Sequence, residues 1–464
     1  MYKLIENKFI KIKCIFVIIY LIINGILRDI FTNKDNNNNN DKDDKDFRGL
    51  SWFKEKYTKH IYGYASPCFE RKVNKLNNDG TINIENNNEC INFGSYNYLG
   101  FGGSKPENEF ENFFGSYDDE NQLLSCCCTM NDMKDNIEYL NLLERTENEF
   151  SKFIGTESTV IFPMGWGTNV NVIPIFCDKD TLIMSDEYNH ASIAMGCKLI
   201  GCKVIPFRNN DYNDLEFKLI TELNKHIISK NKYDKKDLSL EIVYSKIIII
   251  IEGLYSMEGN ISYLREFVRI KNTYKTYLYV DEAHSIGALG SNGKGICEYY
   301  DVNTKDVDIL MGTFTKSFSS IGGYISGSSK LINYVKSKSP GIIYDTCISP
   351  ICLKQILNVL KSKDFGTNVN ILRENTKYIR NLLKKNNIKI LGQDDSPVIP
   401  ILTYDIITMT KVSEYCKKIG IALVVAGYPA TPIDSSRVRL CISADHTIDQ
   451  LNKLTNGLIK ILSK

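Results

Sequence analysis

The chain has 464 residues, enough for an enzyme core with two or three domains or appendages. Hydrophobic residues make up 43% and charged residues 24%, the ordinary proportions of a globular protein. The formal net charge of +2 argues against a nucleic-acid or polyanion partner. The 14 cysteines form no CxxC pair, and with only five histidines in the chain they predict reduced thiols rather than a metal site.

An apolar run near the N-terminus, residues 14–27, follows a segment that carries four lysines. Its 14 residues are fewer than the roughly 20 that a spanning helix requires. We interpret residues 1–32 as a hydrophobic membrane-anchor segment, either spanning or interfacial. A cleaved signal peptide and a buried helix stay as alternatives, although no A-x-A-like cleavage site follows the run.

The next part of the chain, residues 33–46, reads NKDNNNNNDKDDKD and is highly polar. It has no apolar side chains with which to form a core, so we predict a disordered low-complexity linker. Residues 47–95 mix aromatic and charged side chains. They are predicted to be a lead-in segment, with a helix and a loop, before the enzyme core.

Apolar residues recur at helical spacing over 137–154, which predicts an amphipathic helix that ends at Gly155. Apolar runs separated by helix-sized segments follow: STVIFP, TLIMSD, CKVIPF, KIIIIIEG, TYLYVDEA and VDILMGTF. Runs this apolar are typical of a sheet that helices cover on both faces. We therefore predict a large, mainly parallel α/β domain over residues 96–345.

The last part of the chain reads as a helix, then the strands SPVIPIL, IALVVAG and SRVRLCIS, then a closing helix. This order favours a smaller C-terminal α+β domain over residues 346–464. Asp186, Glu252 and Asp281 each end an apolar run of the larger domain. Ligands of open parallel sheets bind beyond the carboxyl ends of the strands, so these positions indicate where a site would form.

One lysine stands out chemically, because Lys316 lies among small and hydroxyl side chains in the run MGTFTKSFSSIGGYISG. A solvated surface lysine fits such neighbours poorly. Upstream, Asp281 closes the apolar run YLYV, and His284 follows three residues later. A lysine amine and a carboxylate at the end of a buried strand are what pyridoxal phosphate chemistry requires: the amine forms a Schiff base, and the carboxylate keeps the pyridine ring protonated.

Several motifs, taken in order, resemble those of the α-oxoamine synthases, which are fold type I pyridoxal-phosphate transferases. The resemblance runs from about residue 47 to the C-terminus. The motifs are NFGSYNYLGF, PMGWGTN, SDEYNHAS, YSMEG, VDEAHSIGALG, GTFTKSF, YPATP and RVRLCISADHT. Within the family, the chain is most similar to the catalytic, lysine-bearing subunit that condenses L-serine with a fatty acyl-CoA such as palmitoyl-CoA.

The resemblance implies roles for individual residues. Lys316, His190 and Asp281 are the implied catalytic residues, with the His190 ring flat on the pyridine ring and His284 at the cofactor's phenolic oxygen. Amides of a helix start and nearby hydroxyls would hold the phosphate. The remaining implied cofactor contacts are Gly165, Trp166, Ser256, Thr313 and Thr346, the last across a dimer interface.

Arg439 resembles the arginine that grips the amino-acid carboxylate, a task suited to a planar guanidinium. Arg437 lies two residues earlier on the same strand face, so the choice between them rests on the resemblance. Asn97 resembles an asparagine near the substrate. Residues 429–432 are expected either to lie over the active site or to serve only as a rigid connection between strands.

The implied reaction is a decarboxylating condensation that yields 3-ketosphinganine. Glycine-using members of the family and a non-catalytic scaffold subunit of the same fold are the alternatives. The resemblance also implies a heterodimer with a lysine-free homologous subunit on the endoplasmic reticulum membrane, its catalytic domain in the cytosol. The lysines before residue 14 favour a cytosolic N-terminus, and a spanning helix would then place the enzyme in the lumen. An interfacial or re-entrant anchor would resolve this conflict, and the sequence does not choose between them.

The chain departs from the family pattern over residues 115–136. Relatives have a glycine-rich run there, with an arginine, whereas this chain reads GSYDDENQLLSCCCTMNDMKDN. The segment lies near the acyl-CoA entry in relatives. The departure leaves the cofactor chemistry intact but puts acyl-chain or partner recognition in question.

Overall fold

The computed structural model describes residues 81–84, 88–102, 137–231, 244–428, 431–432 and 434–462. The predicted anchor, linker and most of the lead-in segment lie outside these residues, as does the divergent run 115–136. Within the described part of the chain, no helix combines the length and the apolar character needed to cross a bilayer.

The chain divides into two compact units. One comprises residues 97–373, and the other contains the described residues up to Tyr96 and from Glu374 onward. The predicted domain limits, at 95/96 and 345/346, stay predictions.

The secondary structure alternates strands and helices through the middle of the chain. The strands are β1 (Thr81–Ile84), β2 (Asn88–Asn92), β3 (Ser158–Phe162), β4 (Thr181–Asp186), β5 (Lys203–Phe207), β6 (Lys246–Glu252), β7 (Tyr277–Asp281), β8 (Ile309–Thr313), β9 (Gly323–Gly327), β10 (Val398–Tyr404), β11 (Ile421–Ala422), β12 (Val424–Ala426) and β13 (Ser436–Cys441). The helices are α1 (Ile137–Ile154), α2 (Gly165–Val172), α3 (Ala191–Lys198), α4 (Tyr212–Asn231), α5 (Leu264–Tyr274), α6 (Ile296–Tyr300), α7 (Ser329–Lys338), α8 (Pro340–Ile343), α9 (Pro350–Lys361), α10 (Phe365–Lys385), α11 (Ile406–Lys418) and α12 (Ile448–Leu462).

A seven-stranded sheet in the order β3-β9-β8-β7-β6-β4-β5 forms the centre of the unit 97–373. The strands β8, β7, β6, β4 and β5 are mutually parallel. The inner strands are apolar and largely buried on both faces, as in the five consecutive isoleucines of β6, which is the pattern of a sheet covered on both sides, whereas the edge strand β5 is mostly exposed. The predicted mainly parallel α/β sheet is therefore confirmed.

Strand β9 was not predicted, and it runs antiparallel to both of its neighbours. Its run GYISG contains two glycines and a serine, a composition more typical of a loop. Gly323 is required by close approach, because a Cβ there would come within 2.4 Å of the Thr168 hydroxyl. Tertiary crowding therefore selects a glycine at a position where strand propensity does not.

The carboxyl ends of the parallel strands bring polar side chains to one edge of the sheet. Glu252 ends β6 and pairs in register with Asp281, which ends β7. Asp281 in turn lies opposite Met311 on β8, two residues before the end of that strand at Thr313. Residues far apart in sequence thus meet at the edge where ligands of parallel sheets bind.

A buried aromatic cluster holds the loop that follows β8. Phe150 of α1 packs edge-on against Phe314 and Phe318, with ring centroids 4.8 and 5.5 Å apart, and against Tyr324 of β9 at 4.6 Å. All four rings are fully buried. Edge-to-face pairs of this kind stabilise by about 0.5–1.5 kcal/mol beyond the area they bury. Because Phe314 and Phe318 lie on either side of Lys316, the cluster fixes the backbone that presents the lysine.

The other unit contains the antiparallel sheet β10-β13-β12 and the small sheet β1-β2-β11. The predicted strand IALVVAG is broken at Leu423, so that β11 pairs with β2 and β12 pairs with β13. The predicted strands and the closing helix of this region are confirmed. On β13, Arg439 pairs in register with Pro400 on one side and Val424 on the other.

Candidate active site

A cavity of about 350 Å³ opens at the carboxyl edge of the seven-stranded sheet. Seven of the predicted site residues line it: Gly165, Trp166, His190, Asp281, His284, Thr313 and Lys316. The other lining residues are Met164, Asn169, Ser192, Glu252, Ala283, Met311 and Thr315. The fold therefore assembles one polar site from three strand ends, two helix starts and the lysine loop.

Lys316 is half-buried and lies in the loop between β8 and β9. Its positive charge is close enough to oppose protonation of His190 and to favour the ionised form of Glu252. The Ser317 hydroxyl donates to the carbonyl of Ile286 (2.9 Å), which ties the loop to its neighbour. The lysine is thus presented to the cavity from an anchored backbone.

Asp281 is a buried carboxylate with both oxygens hydrogen-bonded. The Ala283 amide donates to Oδ1 at 2.9 Å, and the Asn169 side chain donates to Oδ2 at 2.9 Å. Only 3% of the residue is exposed. A turn follows it and not a helix, so Asp281 does not cap a helix start. A negative charge held in this way attracts a cation placed in the cavity.

His190 stands immediately before α3 and caps that helix. Its Nδ1 lies 2.8 Å from the Ser192 hydroxyl, and its backbone N–H donates to Glu252 at 2.6 Å. Although the residue is exposed at the cavity, partial desolvation of the imidazole by the surrounding protein lowers its pKa, against the attraction of Asp281. The ring is therefore held in place as a neutral imidazole.

Glu252 is fully buried below the cavity and ends β6. Burial, with a further contribution from the neighbouring Asp281, raises its pKa well above the usual range of a glutamate. Its protonated form is therefore favoured more than in an ordinary glutamate. The carboxyl group also accepts from the His190 amide.

His284 is buried and bonded through Nδ1 to the Tyr98 hydroxyl at 2.9 Å. Tyr98 belongs to the motif SYNYLGF and is fully buried. This contact links the loop after β7 to the start of the unit. It orients the His284 ring, whose edge lines the cavity.

The start of α2 forms the other wall of the cavity. Met164 precedes the helix, and no side chain caps its first amides. A Cβ at Gly165 would lie 2.5 Å from the Thr313 hydroxyl, so only glycine lets the helix start approach that hydroxyl. Thr313 and Thr315 bond to each other at 2.9 Å. Open helix amides beside hydroxyls make a cradle suited to a phosphate group.

Comparison with known proteins gives concordant results. The family profile for aminotransferases of class I and II matches residues 88–458. Serine palmitoyltransferase 2 of Dictyostelium discoideum is 39% identical over 86% of this chain and 83% of its own length. Serine palmitoyltransferase 3 of Caenorhabditis elegans is 36% identical over 88% and 81%, and long chain base biosynthesis protein 2a of Arabidopsis thaliana is 36% identical over 88% and 83%.

The chain belongs to the α-oxoamine synthase family of pyridoxal-phosphate enzymes. Solved structures agree with the fold of this family. A serine palmitoyltransferase of Sphingomonas wittichii superposes with a TM-score of 0.74 at 22% identity, over 90% of this chain and 97% of that one. An 8-amino-7-oxononanoate synthase from Francisella tularensis gives 0.60 at 22%, over 81% and 98%.

Pyridoxal phosphate is the cofactor of this α-oxoamine synthase. The cavity fits it by its donor set. The buried carboxylate of Asp281 suits a protonated pyridine nitrogen, the uncapped start of α2 suits the phosphate, and Lys316 suits the aldehyde carbon. The size of the cavity also lies within the range of small-molecule sites.

Four predicted residues lie outside the cavity lining. Ser256 lies in the turn after β6, and Thr346 is exposed and lines a different cavity of about 190 Å³. Asn97 accepts hydrogen bonds from the Ser319 hydroxyl (3.1 Å) and the Gly102 amide. Arg439 lies in the unit that holds β13, buried, with its guanidinium 4.8 Å from the centre of the Tyr96 ring. Their proposed roles stay predictions.

Sequence reasoning missed Asn169, Ser192 and Tyr98 as parts of the site. Asn169 lies in the run PMGWGTN and Ser192 lies in SDEYNHAS, two motifs in which other residues were predicted to belong to the site. Helical spacing in α2 could have indicated Asn169, because it lies one turn after Gly165 on the same face of the helix. Their partners lie on other elements, so the pairings themselves carry no local signal.

Glu282, beside Asp281, anchors the loop that carries His284. Its carboxyl group accepts from the Ile296 amide (3.0 Å) and from the Ser285 hydroxyl, and only 2% of the residue is exposed. Burial raises the pKa of this carboxyl from 4.5 to about 7. The folded protein therefore holds a proton that the unfolded chain releases at lower pH.

Replacing Glu282 with Gln should remove a pH-dependent loss of stability. Between about pH 4.5 and 7 the unfolded chain loses this proton while the folded chain keeps it, so wild-type stability falls as pH rises. The free energy of unfolding of Glu282→Gln relative to wild type should therefore increase across this window by about 3 kcal/mol, at about 1.36 kcal/mol per pKa unit. Urea unfolding at several pH values measures it, with the exposed Glu138→Gln as control. A pH-independent difference would contradict the assignment.

Proposed function

We propose that this chain is the catalytic subunit of a serine palmitoyltransferase. It would condense L-serine with a fatty acyl-CoA such as palmitoyl-CoA, releasing coenzyme A and carbon dioxide and forming 3-ketosphinganine. The observation that carries the proposal is Lys316 in one cavity with the hydrogen-bonded carboxylate of Asp281. Relatives named serine palmitoyltransferase, at 36–39% identity over most of the chain, support the choice of substrates.

Each residue of the cavity has its own role in the proposed reaction. When bound, pyridoxal phosphate supplies an electron sink for the negative charge that develops at the serine Cα. Lys316 would hold the cofactor through its Nζ, and the same Nζ, once free, would serve as the base for the Cα proton of serine. Asp281 holds the proton on the ring nitrogen through a charge-assisted contact.

The remaining lining residues orient the cofactor. Amides at Gly165 and Trp166 and the Thr313 hydroxyl would bind the phosphate. His190 would hold the pyridine ring, and His284 would hydrogen-bond the phenolic oxygen. Ser256 and Thr346 are assigned to cofactor binding by family resemblance, Thr346 in the site of a partner subunit. Arg439 and Asn97 are assigned to serine.

Lys316→Ala should abolish covalent capture of the cofactor and 3-ketosphinganine synthesis. Borohydride reduction of the loaded wild type should label the peptide that contains residue 316, and product is read by mass after incubation with palmitoyl-CoA and either serine or glycine. The exposed Lys330→Ala, on the same unit, is the matched control and should keep both properties. Labelling elsewhere would refute the proposal, and product from glycine alone would make the chain a glycine-using synthase.

Arg439 is the proposed partner of the serine carboxylate. It lies with Arg437 on β13, and both are buried. Arg437 already donates to the Ser435 carbonyl at 3.0 Å. Since a hydrogen bond to a charged group contributes about 1.5–3 kcal/mol, Arg439→Lys should raise the KM for serine by about ten- to a hundredfold while the affinity for pyridoxal phosphate stays unchanged. Arg437→Lys is the matched comparison and should leave the KM for serine unchanged. A raised KM for serine in Arg437→Lys, with an unchanged KM in Arg439→Lys, would assign the serine carboxylate to Arg437 instead.

The run at residues 14–27 is proposed to anchor the enzyme to the endoplasmic reticulum membrane, with the catalytic part cytosolic and a lysine-free homologous subunit as its partner. The apolar run and a fatty acyl substrate support this arrangement. Flotation of the full chain with lipid vesicles should be lost in Ile18→Glu/Ile22→Glu and kept in Asn37→Glu/Asn39→Glu. Equal flotation of both variants would refute the anchor, and failure to co-purify with the homologous subunit would refute the heterodimer.

A further inference from the structure

A chain of hydrogen bonds runs behind the cavity and joins Asp281 to His190. Asn169 of α2 is at its centre. Its Nδ2 lies 2.9 Å from Asp281 Oδ2 and 2.9 Å from the Ser192 hydroxyl, while its Oδ1 lies 2.6 Å from the Tyr279 hydroxyl. The Ser192 hydroxyl continues to His190 Nδ1 at 2.8 Å.

The donor in each of these bonds follows from chemistry. A carboxylate only accepts, so the amide nitrogen of Asn169 must face Asp281, which leaves Oδ1 to accept from Tyr279. The second hydrogen of the same Nδ2 points to the oxygen of Ser192. That oxygen therefore acts as an acceptor, which leaves the hydroxyl hydrogen of Ser192 available for its other neighbour, His190 Nδ1.

The backbone of Ser192 acts in the same direction. Its amide N–H donates to His190 Nδ1 at 3.3 Å, as part of the helix cap. Nδ1 thus faces two donors and carries no proton, so the single proton of the neutral ring resides on Nε2.

We infer that Asn169 is a positioning residue, which holds the Asp281 carboxylate and, through Ser192, fixes His190 as the neutral tautomer protonated on Nε2. The hydrogen bonds and the ring state do not depend on the proposed function, but the purpose given to them next rests on it. A neutral imidazole adds no positive charge beside a pyridine ring whose own nitrogen is to be protonated. One amide thus keeps the anion beside the ring nitrogen in place and keeps a second cation away.

The inner members of the network are shielded from water, while His190 at its end is exposed at the cavity. Asn169, Ser192 and Tyr279 are each 1% exposed, so solvent cannot supply the missing donors if one member is removed. The bonds also connect α2, α3 and β7, and a purely structural role would consist of that connection alone. The protonation state of the His190 ring distinguishes a positioning role from a purely structural one. A residue that only connects these elements would not determine which ring nitrogen carries the proton.

The test reads the His190 ring directly by long-range proton–nitrogen NMR of the full chain labelled with nitrogen-15 in histidine. The five histidines give a small set of signals, and His190→Gln assigns the one of interest. At neutral pH, without cofactor, the expected pattern is a proton on Nε2 and none on Nδ1. A proton on Nδ1 would overturn the inference.

Asn169→Asp tests the role of the amide. The new carboxylate accepts the hydroxyl hydrogen of Ser192, so Nδ1 loses one of its two donors, and the proton should shift towards Nδ1 or the ring should become doubly protonated. It also shares one proton with Asp281, so the affinity for pyridoxal phosphate should fall at least about tenfold. Asn171→Asp, which adds the same charge to the same helix, should change neither. An unchanged His190 signal in Asn169→Asp would refute the inference.

A second variant covers the case in which Asn169→Asp fails to fold. Ser192→Ala removes the hydroxyl that joins Asn169 to His190 and leaves Nδ1 only the backbone donor at 3.3 Å, so the His190 signal should broaden or split into two tautomers. A single unchanged signal would overturn the inference. Loss of cofactor capture at Lys316 in the wild type would refute the proposed function alone, since the ring state is read in the cofactor-free chain.

Discussion

The rest of the site depends on the hydrogen bonding of the buried Asp281 carboxylate. A charge removed from water is tolerated only when it is hydrogen-bonded, and here a backbone amide and the Asn169 side chain meet that need. Asn169 supplies its bond from α2, so satisfying the carboxylate also fixes where that helix lies. The start of the same helix forms the phosphate cradle, and its glycine at 165 admits the Thr313 hydroxyl.

The sheet and the aromatic cluster give this arrangement its rigidity. Parallel strands place Glu252 and Asp281 side by side, while Phe150 and its partner rings clamp the loop on both sides of Lys316. The lysine can therefore change its bonding during a reaction while its backbone stays in place. Burial raises the pKa of Glu252 and so disfavours a second negative charge beside Asp281.

Much of this organisation could be predicted from residue patterns. The isoleucine run of β6 and the helical spacing of α1 identify their elements locally, and both agree with the structure. Strand β9 was not predicted because glycine and serine are uncommon in strands. Its pairing also depends on strands that are distant in sequence. Ser256 and Asn97 lie in motifs of the family but outside the cavity lining, since a motif fixes sequence neighbours and not the direction of a side chain.

The amino-acid sequence by itself determined the α/β class, the family and the main reactive groups, Lys316 and Asp281, because these follow from periodicity, strand ends and local motifs. Only the tertiary structure decided how those groups are held. The bonds from Asn169 to Asp281 and to Ser192 span 112 and 23 residues. Pairings across such separations leave no local trace, since they arise only when buried polar groups must find partners within a packed core.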